Sequence, residues 1–243
     1  MSDAPPAAQA SEPAPSAVGR VVGAILSPGE TFESIARRPT WLLPLLLWMA
    51  LSLGITALLL PRIDWEKMTR TQMEKSGQTV TEEQVQSRVA QSKKFGGVIS
   101  YCIGSISPWV VALLTAVVIW GSFKAFGWDT TFKQSFGVTT HAFLPGVLKA
   151  ILLGVLVWRQ ETVDPQAMGD LLRSNLGFLV PRDSSKALHS LLSSIDIFSF
   201  WSVWLFVIGF AAAAKIKQGA AAGVIVTLWV IAAACGVAWN AIF

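Results

Sequence analysis

Five stretches of this chain are each long enough to cross a bilayer as helix. They run from Trp41 to Leu60, Val98 to Trp120, Val138 to Trp158, Ile197 to Ala214 and Ala220 to Ile242. The only Lys, Arg, Asp, Glu or His side chains inside them are His141 and Lys149. A helix rises about 1.5 Å per residue, so about 20 residues cover a hydrocarbon core of about 30 Å. In lipid the backbone must satisfy its own hydrogen bonds, which leaves helices or closed barrels. Barrel strands alternate apolar and polar over segments of about ten residues, and nothing here does. The chain therefore reads as an all-α, polytopic integral membrane bundle of five transmembrane helices. Composition agrees: 14% of residues are charged, against about 25% in soluble domains, and the mean hydropathy is +0.54.

The segments outside the spans divide the chain further. Residues 1–17 are rich in Ala and Pro and lack Lys, Arg or an apolar core, which predicts a disordered tail and no secretory signal. Residues 18–243 then form the membrane domain. Ser27 to Pro39, SPGETFESIARRP, predicts a short interfacial helix. Ser27 stands at the cap, Pro28 at the first helical position and Glu30 at the capping-box position. Phe32, Ile35 and Ala36 share one face of it, and Pro39 stops it. The polar segment from Pro61 to Gly97 predicts two amphipathic helices, one capped by Asp64 and ending near Gly77, the other opened by a Thr81–Gln84 capping box. The segment from Arg159 to Asp196 predicts two more. One starts at Asp164-Pro165, carries Met168, Leu171, Leu172 and Leu176, and closes at Gly177; the other opens at Asp183 and clusters Leu188, Leu191, Leu192 and Ile195. All lie along the membrane surface or over the end of the bundle. Trp41, Trp120, Trp158, Trp201 and Trp239 fall near span ends, at headgroup depth.

Three blocks carry a family likeness: SPGETFESIARRPTWLLPLLLW, GWDTTFKQSFGVTTHAFLPGVLKAIL and IDIFSFWSVWLFVIGFAAAAKIKQGAAAGVIVTLW. Together they resemble bacterial members of the Yip family, the Ypt-interacting multi-pass membrane proteins. The resemblance implies five spans, a bacterial inner-membrane location, a cytoplasmic N-terminus and a C-terminus across the membrane. It also implies work through protein and lipid contacts, since eukaryotic relatives serve vesicle trafficking by binding prenylated Rab-type GTPases. The eukaryotic Tyr-Gly-Pro signature before the first span is absent. Ser-Pro-Gly stands there, and the one tyrosine, Tyr101, lies inside a span. With the N-terminus inside, seven Lys and Arg lie inside and eleven in the long polar segments. That count opposes the orientation, whereas the short cationic turns around Lys124 and Lys215 and the resemblance favour it.

The third span holds the residues that invite a functional reading. His141, Pro145 and Lys149 are spaced by four, and on one continuous helix each lags the last by about 40°, forming a single stripe. Proline deprives the His141 carbonyl of its usual amide, which a neighbouring helix or water must replace. An ion near mid-membrane costs about 2.5–3.5 kcal/mol on insertion scales, so the stripe faces the bundle. It lines a polar pocket or ion path, or it is a kinked packing face with one histidine hydrogen bond and a snorkelling lysine. Asp196 is the one acid near enough to pair Lys149, and it also suits the cap of the fourth span. Gly96, Ser100 and Gly104, and Gly219 and Gly223, make small-xxx-small patterns that serve packing within the chain or a homodimer. Gly236 and Asn240 continue such a face on the last span.

Enzyme chemistry has no foothold in this sequence. HExxH and GxSxG are absent, and EEQVQSR departs from EExxxR by one residue. Two histidines 48 positions apart and two lone cysteines, Cys102 and Cys235, match no metal-ligand spacing and no disulfide. No cofactor is implied. The net charge of +4 suits anionic lipid heads, without the aromatic-interleaved basic patch that nucleic acid would need. Two functions remain: a scaffold acting through protein and lipid partners, or a small transporter using the His141/Lys149 stripe.

Overall fold

A computed structural model describes residues 15–75, 81–165, 168–180 and 185–242. Among these the regular elements are helices. They are α1 (Ala17–Leu26), α2 (Pro28–Arg37), α3 (Leu42–Leu59), α4 (Trp65–Lys75), α5 (Glu82–Ala125), α6 (Phe132–Ala142), α7 (Leu144–Trp158), α8 (Met168–Leu171), α9 (Lys186–Ser194), α10 (Ile197–Ala214) and α11 (Gln218–Ile242). Five are long and apolar enough to span: α3 with its terminal turn, α5, the joined α6–α7, α10 and α11. The N-terminal helices sit at one end of the bundle. At the other end Asn240 Nδ2, near the end of α11, donates to Ser190 Oγ of α9 at 3.2 Å, so the described chain begins and ends on opposite sides.

The core is concentrated at the N-terminal end. α1, absent from the sequence reading, and α2 form a hairpin that enters the bundle, with α2 packed on α10 and α6. Phe32 and Ile35 of α2 are 0% exposed, as is Ala24 of α1, which makes the hairpin part of the interior rather than an interfacial helix. Around it close Phe123, Val138, Ala142, Leu205, Phe210 and the alanines of late α10. Gly209 permits the approach. A Cβ there would lie 2.7 Å from Phe32 Cδ1 and closer still to Val138 Cγ1. Arg20, 3% exposed, ties α1 to the following corner, donating from Nη1 to the Arg38 carbonyl (2.6 Å) and Thr40 Oγ1 (3.1 Å). Burial, then the neighbouring Arg38 charge, lowers its pKa.

Several local expectations change in the structure. Ser27 makes no side-chain cap on α2. It closes α1 through its amide, which donates to the Gly23 carbonyl at 2.7 Å, and its φ of −140° and ψ of 62° turn it from the extended shape that a cap needs. The Thr81–Gln84 box forms, yet it opens no separate helix: α5 runs 44 residues, about 66 Å, twice the hydrocarbon thickness. Its polar half projects with α4 as a hairpin, Asp64 capping α4 by accepting from Lys67 N at 2.9 Å. Trp65 lies over Gly96, and Met73, Val85 and Val89 make a small second core.

Among the described residues the α-helix expected up to Gly177 ends at Leu171, with α8. There the chain leaves helical geometry to pair with the entrance of α10: Leu176 N donates to the Ile195 carbonyl (3.2 Å) and Ile197 N to the Ser174 carbonyl (3.1 Å). Tertiary pairing outweighs the apolar period, and Gly177 falls inside a separate turn, Leu176–Leu179. α9 is capped by Ser185. Asp183, the surroundings of Gly77 and residues 1–14 lie outside the described residues. Ser16 caps α1, so helix already begins at Ala17 within the segment expected to be tail.

Candidate functional site

The third span is broken. α6 starts six residues earlier than expected, at Phe132, on a Thr131–Gln134 capping box that the T-x-x-Q pattern could have signalled. It stops at Ala142, and α7 resumes at Leu144 with Pro145 in its first turn, where a proline leaves no intrahelical amide missing. The Phe143 amide turns back over the end of α6, donating to the Thr139 carbonyl at 3.2 Å with the His141 carbonyl also close to it. One residue, Phe143, interrupts the helix between His141 and Pro145, and His141 and Lys149 lie in different environments.

His141 is sealed. Its side chain is 0% exposed, and Nδ1 donates to the Gly137 carbonyl at 2.8 Å. Among the described residues Nε2 has no hydrogen-bond partner, and neither do the buried hydroxyls of Ser135 and Thr139 on the same helix. The neighbouring charge is that of Arg20 from α1. This polar group is shut in by the α1–α2 hairpin at the N-terminal end. Pro145 is buried beside it.

Lys149 turns the other way. Its Nζ donates to Asp196 Oδ2 at 2.9 Å, and Ser174 Oγ donates to the same oxygen at 2.5 Å. Asp196 Oδ1 accepts from the amides of Phe198 (3.0 Å) and Ser199 (3.2 Å), capping α10. The one carboxylate thus performs both duties weighed from the sequence. Its side chain is 2% exposed, against 34% for Lys149. Burial alone would raise the Asp196 pKa, but the hydrogen bonds from Ser174 and Lys149, the Lys149 charge and the Ser199 amide hold it net below the ordinary value.

Beside this pair, α5, α7, α10 and α11 enclose a half-open cleft of about 500 Å³. Lys149, Asp196, Thr115, Ser199 and Ser202 supply its polar edge, and Phe206, Ile225, Leu228 and Trp229 its apolar walls; His141 does not line it.

Of the small residues, Gly104 packs inward on Thr56 and Ser52 of α3, and Gly96 on Trp65. Ser100 between them is half-buried. Gly219, Gly223 and Gly236 meet nothing within 4 Å, while Asn240 reaches Ser190. Sequence reasoning missed Arg62, whose guanidinium joins α3 to α7 by donating to the carbonyls of Leu58 (2.8 Å), Gln160 (3.1 Å) and Trp158 (3.5 Å). It also missed His189, whose Nε2 lies 3.1 Å from Asp170 Oδ1 and ties α8 to α9. Cys102 and Cys235 are free and exposed. Among the described residues no three His, Cys, Asp or Glu converge as a metal site would require.

Comparison with known proteins agrees with this architecture. A relative, "Membrane protein YknW" of Bacillus subtilis (strain 168), is 30% identical over 187 residues, covering 77% of this chain and 75% of its own length. No solved structure matches. The profile of the Yip1 domain matches residues 22–240, from within α1 almost to the end of α11, and the chain accordingly belongs to the Yip1-domain family of multi-pass membrane proteins.

Proposed function

We propose that the protein is a non-conducting, non-enzymatic scaffold of the bacterial inner membrane that works through protein and lipid contacts, with its N-terminus in the cytoplasm. The observation that carries this reading is the separation of the two intramembrane ionisable groups. A transport path would join His141 and Lys149 through water, whereas one is sealed beneath α1 and the other ends on Asp196 at a cleft that His141 does not line. The end face that would meet a cytoplasmic partner holds a groove of about 690 Å³ between α2 and the end of α10, edged by Glu33, Arg37 and Lys215. Membership of the Yip1-domain family supports the same reading.

The test has two arms. Proteoliposomes carrying the full chain should show proton and potassium flux equal to empty liposomes. A protein co-isolated from native membrane should be retained by Lys149→Met and lost by the pair Arg37→Glu and Lys215→Glu. Flux that Lys149→Met abolishes would overturn the scaffold reading in favour of transport.

A further inference from the structure

Any face of a span that neither protein nor water covers is covered by lipid, so a cleft opening sideways between spans is filled from the hydrocarbon layer. The cleft beside Lys149 opens at the α5 rim, where Leu114 and Val118 are 59% and 52% exposed. Its polar edge consists of unspent donors. Lys149 has three ammonium hydrogens and gives one to Asp196, whose two oxygens already accept two bonds each. The hydroxyls of Ser122 on α5 and Thr227 on α11 turn back onto the carbonyl four residues earlier. Those of Thr115, Ser199 and Ser202 make no such bond among the described residues, and all three residues line the cleft. Beyond this edge the cleft residues of α10 continue from Phe198 to Phe206, about 12 Å along the helix.

We propose that the cleft holds one acyl chain of a glycerolipid. The ester oxygens accept from Lys149 and from the Ser199 and Ser202 hydroxyls, the carbonyl taking two of these bonds, and the tail lies along Phe206, Leu228 and Trp229. An ester group brings acceptors and no donors, which is what this edge lacks. A partner helix would bring apolar side chains that leave the donors unpaired, and water would wet the edge but not the walls. Because Asp196 neutralises Lys149, the site reads the ester linkage and not the charge of the head group. This inference goes beyond the scaffold reading and shares no test residue with the end-face groove, so either can fail alone.

Gly146 lines the cleft and a Cβ there meets nothing within 4 Å, so Gly146→Phe fills the cleft without a clash at its root. Gly121, equally open but outside the cleft, is the control. The full chain is placed in nanodiscs doped with a phospholipid bearing a photoreactive diazirine on one acyl chain, and labelled peptides are mapped by mass spectrometry. The wild type should be labelled at residues 198–206 and 225–232 well above its other lipid-facing positions. Gly146→Phe should cut that excess several-fold, and Gly121→Phe should leave it unchanged. Probes with anionic and zwitterionic heads should label alike, and an ether-linked probe, which lacks the carbonyl, should lose the excess. Equal labelling by ester and ether probes, labelling indifferent to Gly146→Phe, or cross-links to a second copy of the chain across the cleft would each overturn the proposal. Should Gly146→Phe fail to fold, Ser202→Leu carries the same expectation.

Discussion

Breaking the Lys149–Asp196 pair from its two sides should not cost the same. Lys149→Met leaves a carboxylate whose side chain is 2% exposed, with Ser174 and two amides still bonded but its counter-ion gone. Stranding a fully buried charge costs about 3–5 kcal/mol, and the surviving hydrogen bonds reduce this to about 2 kcal/mol. Asp196→Asn keeps the oxygen that caps α10 and leaves a lysine that is 34% exposed; that ammonium can turn toward the headgroups, so the loss is about 1 kcal/mol. Adding Asp196→Asn to Lys149→Met removes the stranded charge. The double variant should therefore be more stable than Lys149→Met alone by about 1 kcal/mol, an interaction energy of about 2 kcal/mol in the cycle. The folded-state pKa of Asp196 lies below 3.8. In the wild type its stabilisation is thus complete above that ordinary value and is lost only as the pH falls through the lower folded one. In Lys149→Met the lysine's hydrogen bond and charge are gone while burial still pushes the carboxyl up, so the penalty should be smaller at about pH 5 than at about pH 7. Reversible unfolding of the purified chain in mixed SDS micelles, followed by tryptophan fluorescence, measures all four corners. Additive single losses, or a double variant worse than Lys149→Met, would refute the account of the pair.

Two further substitutions test the N-terminal core. Gly209→Leu places a side chain where Phe32 and Val138 already stand, and overpacking of this kind costs about 1–3 kcal/mol or more; protease digestion in detergent should show α1 and α2 released while α3 to α7 stay protected. His141→Phe removes a buried nitrogen without a partner together with one bond to the Gly137 carbonyl, which still accepts from Thr140 Oγ1 at 3.0 Å. Its cost should stay within about 1 kcal/mol, measured in the same unfolding assay, and a larger loss would mean that the imidazole does more than pack.

What could be read from the sequence depended on whether the signal was local. The five spans were legible because solvation by lipid acts on about twenty consecutive residues at once. The caps at Asp64 and Thr81 were legible because both partners lie within one turn. The burial of α2 was not, since an amphipathic helix presents the same face to a membrane surface or to a bundle, and only the absence of a side chain at Gly209, 177 residues after Phe32, decides between them. The separate surroundings of His141 and Lys149 were not legible, because spacing places side chains on a helix without saying which neighbours cover them. Pro145 stands in the first turn of α7, and His141 is buried near Arg20 while Lys149 reaches Asp196. Both duties of Asp196 were legible because acids near the spans are few, but the hydroxyl of Ser174 and the paired strand-like entry at Asn175 that bring a further donor to it follow from no spacing rule.

The two ends of the bundle hold together by different forces. At the N-terminal end there is no hydrophobic drive between lipid-embedded helices, so cohesion comes from close approach, and α1 and α2 supply the extra layer that makes it dense. Alanines and glycines line that layer because larger residues would push the hairpin out. At the opposite end, among the described residues, no buried hairpin enters between α5, α7, α10 and α11. The spans there are tied by polar clasps: Arg62 across α3 and α7, Lys149 to Asp196, and Asn240 to Ser190. Clasps fix the helix ends without filling the space between them, so the core is denser on the N-terminal side than beside Lys149. Separating two spans beside Lys149 would break a few hydrogen bonds and disturb less dense core than at the N-terminal end.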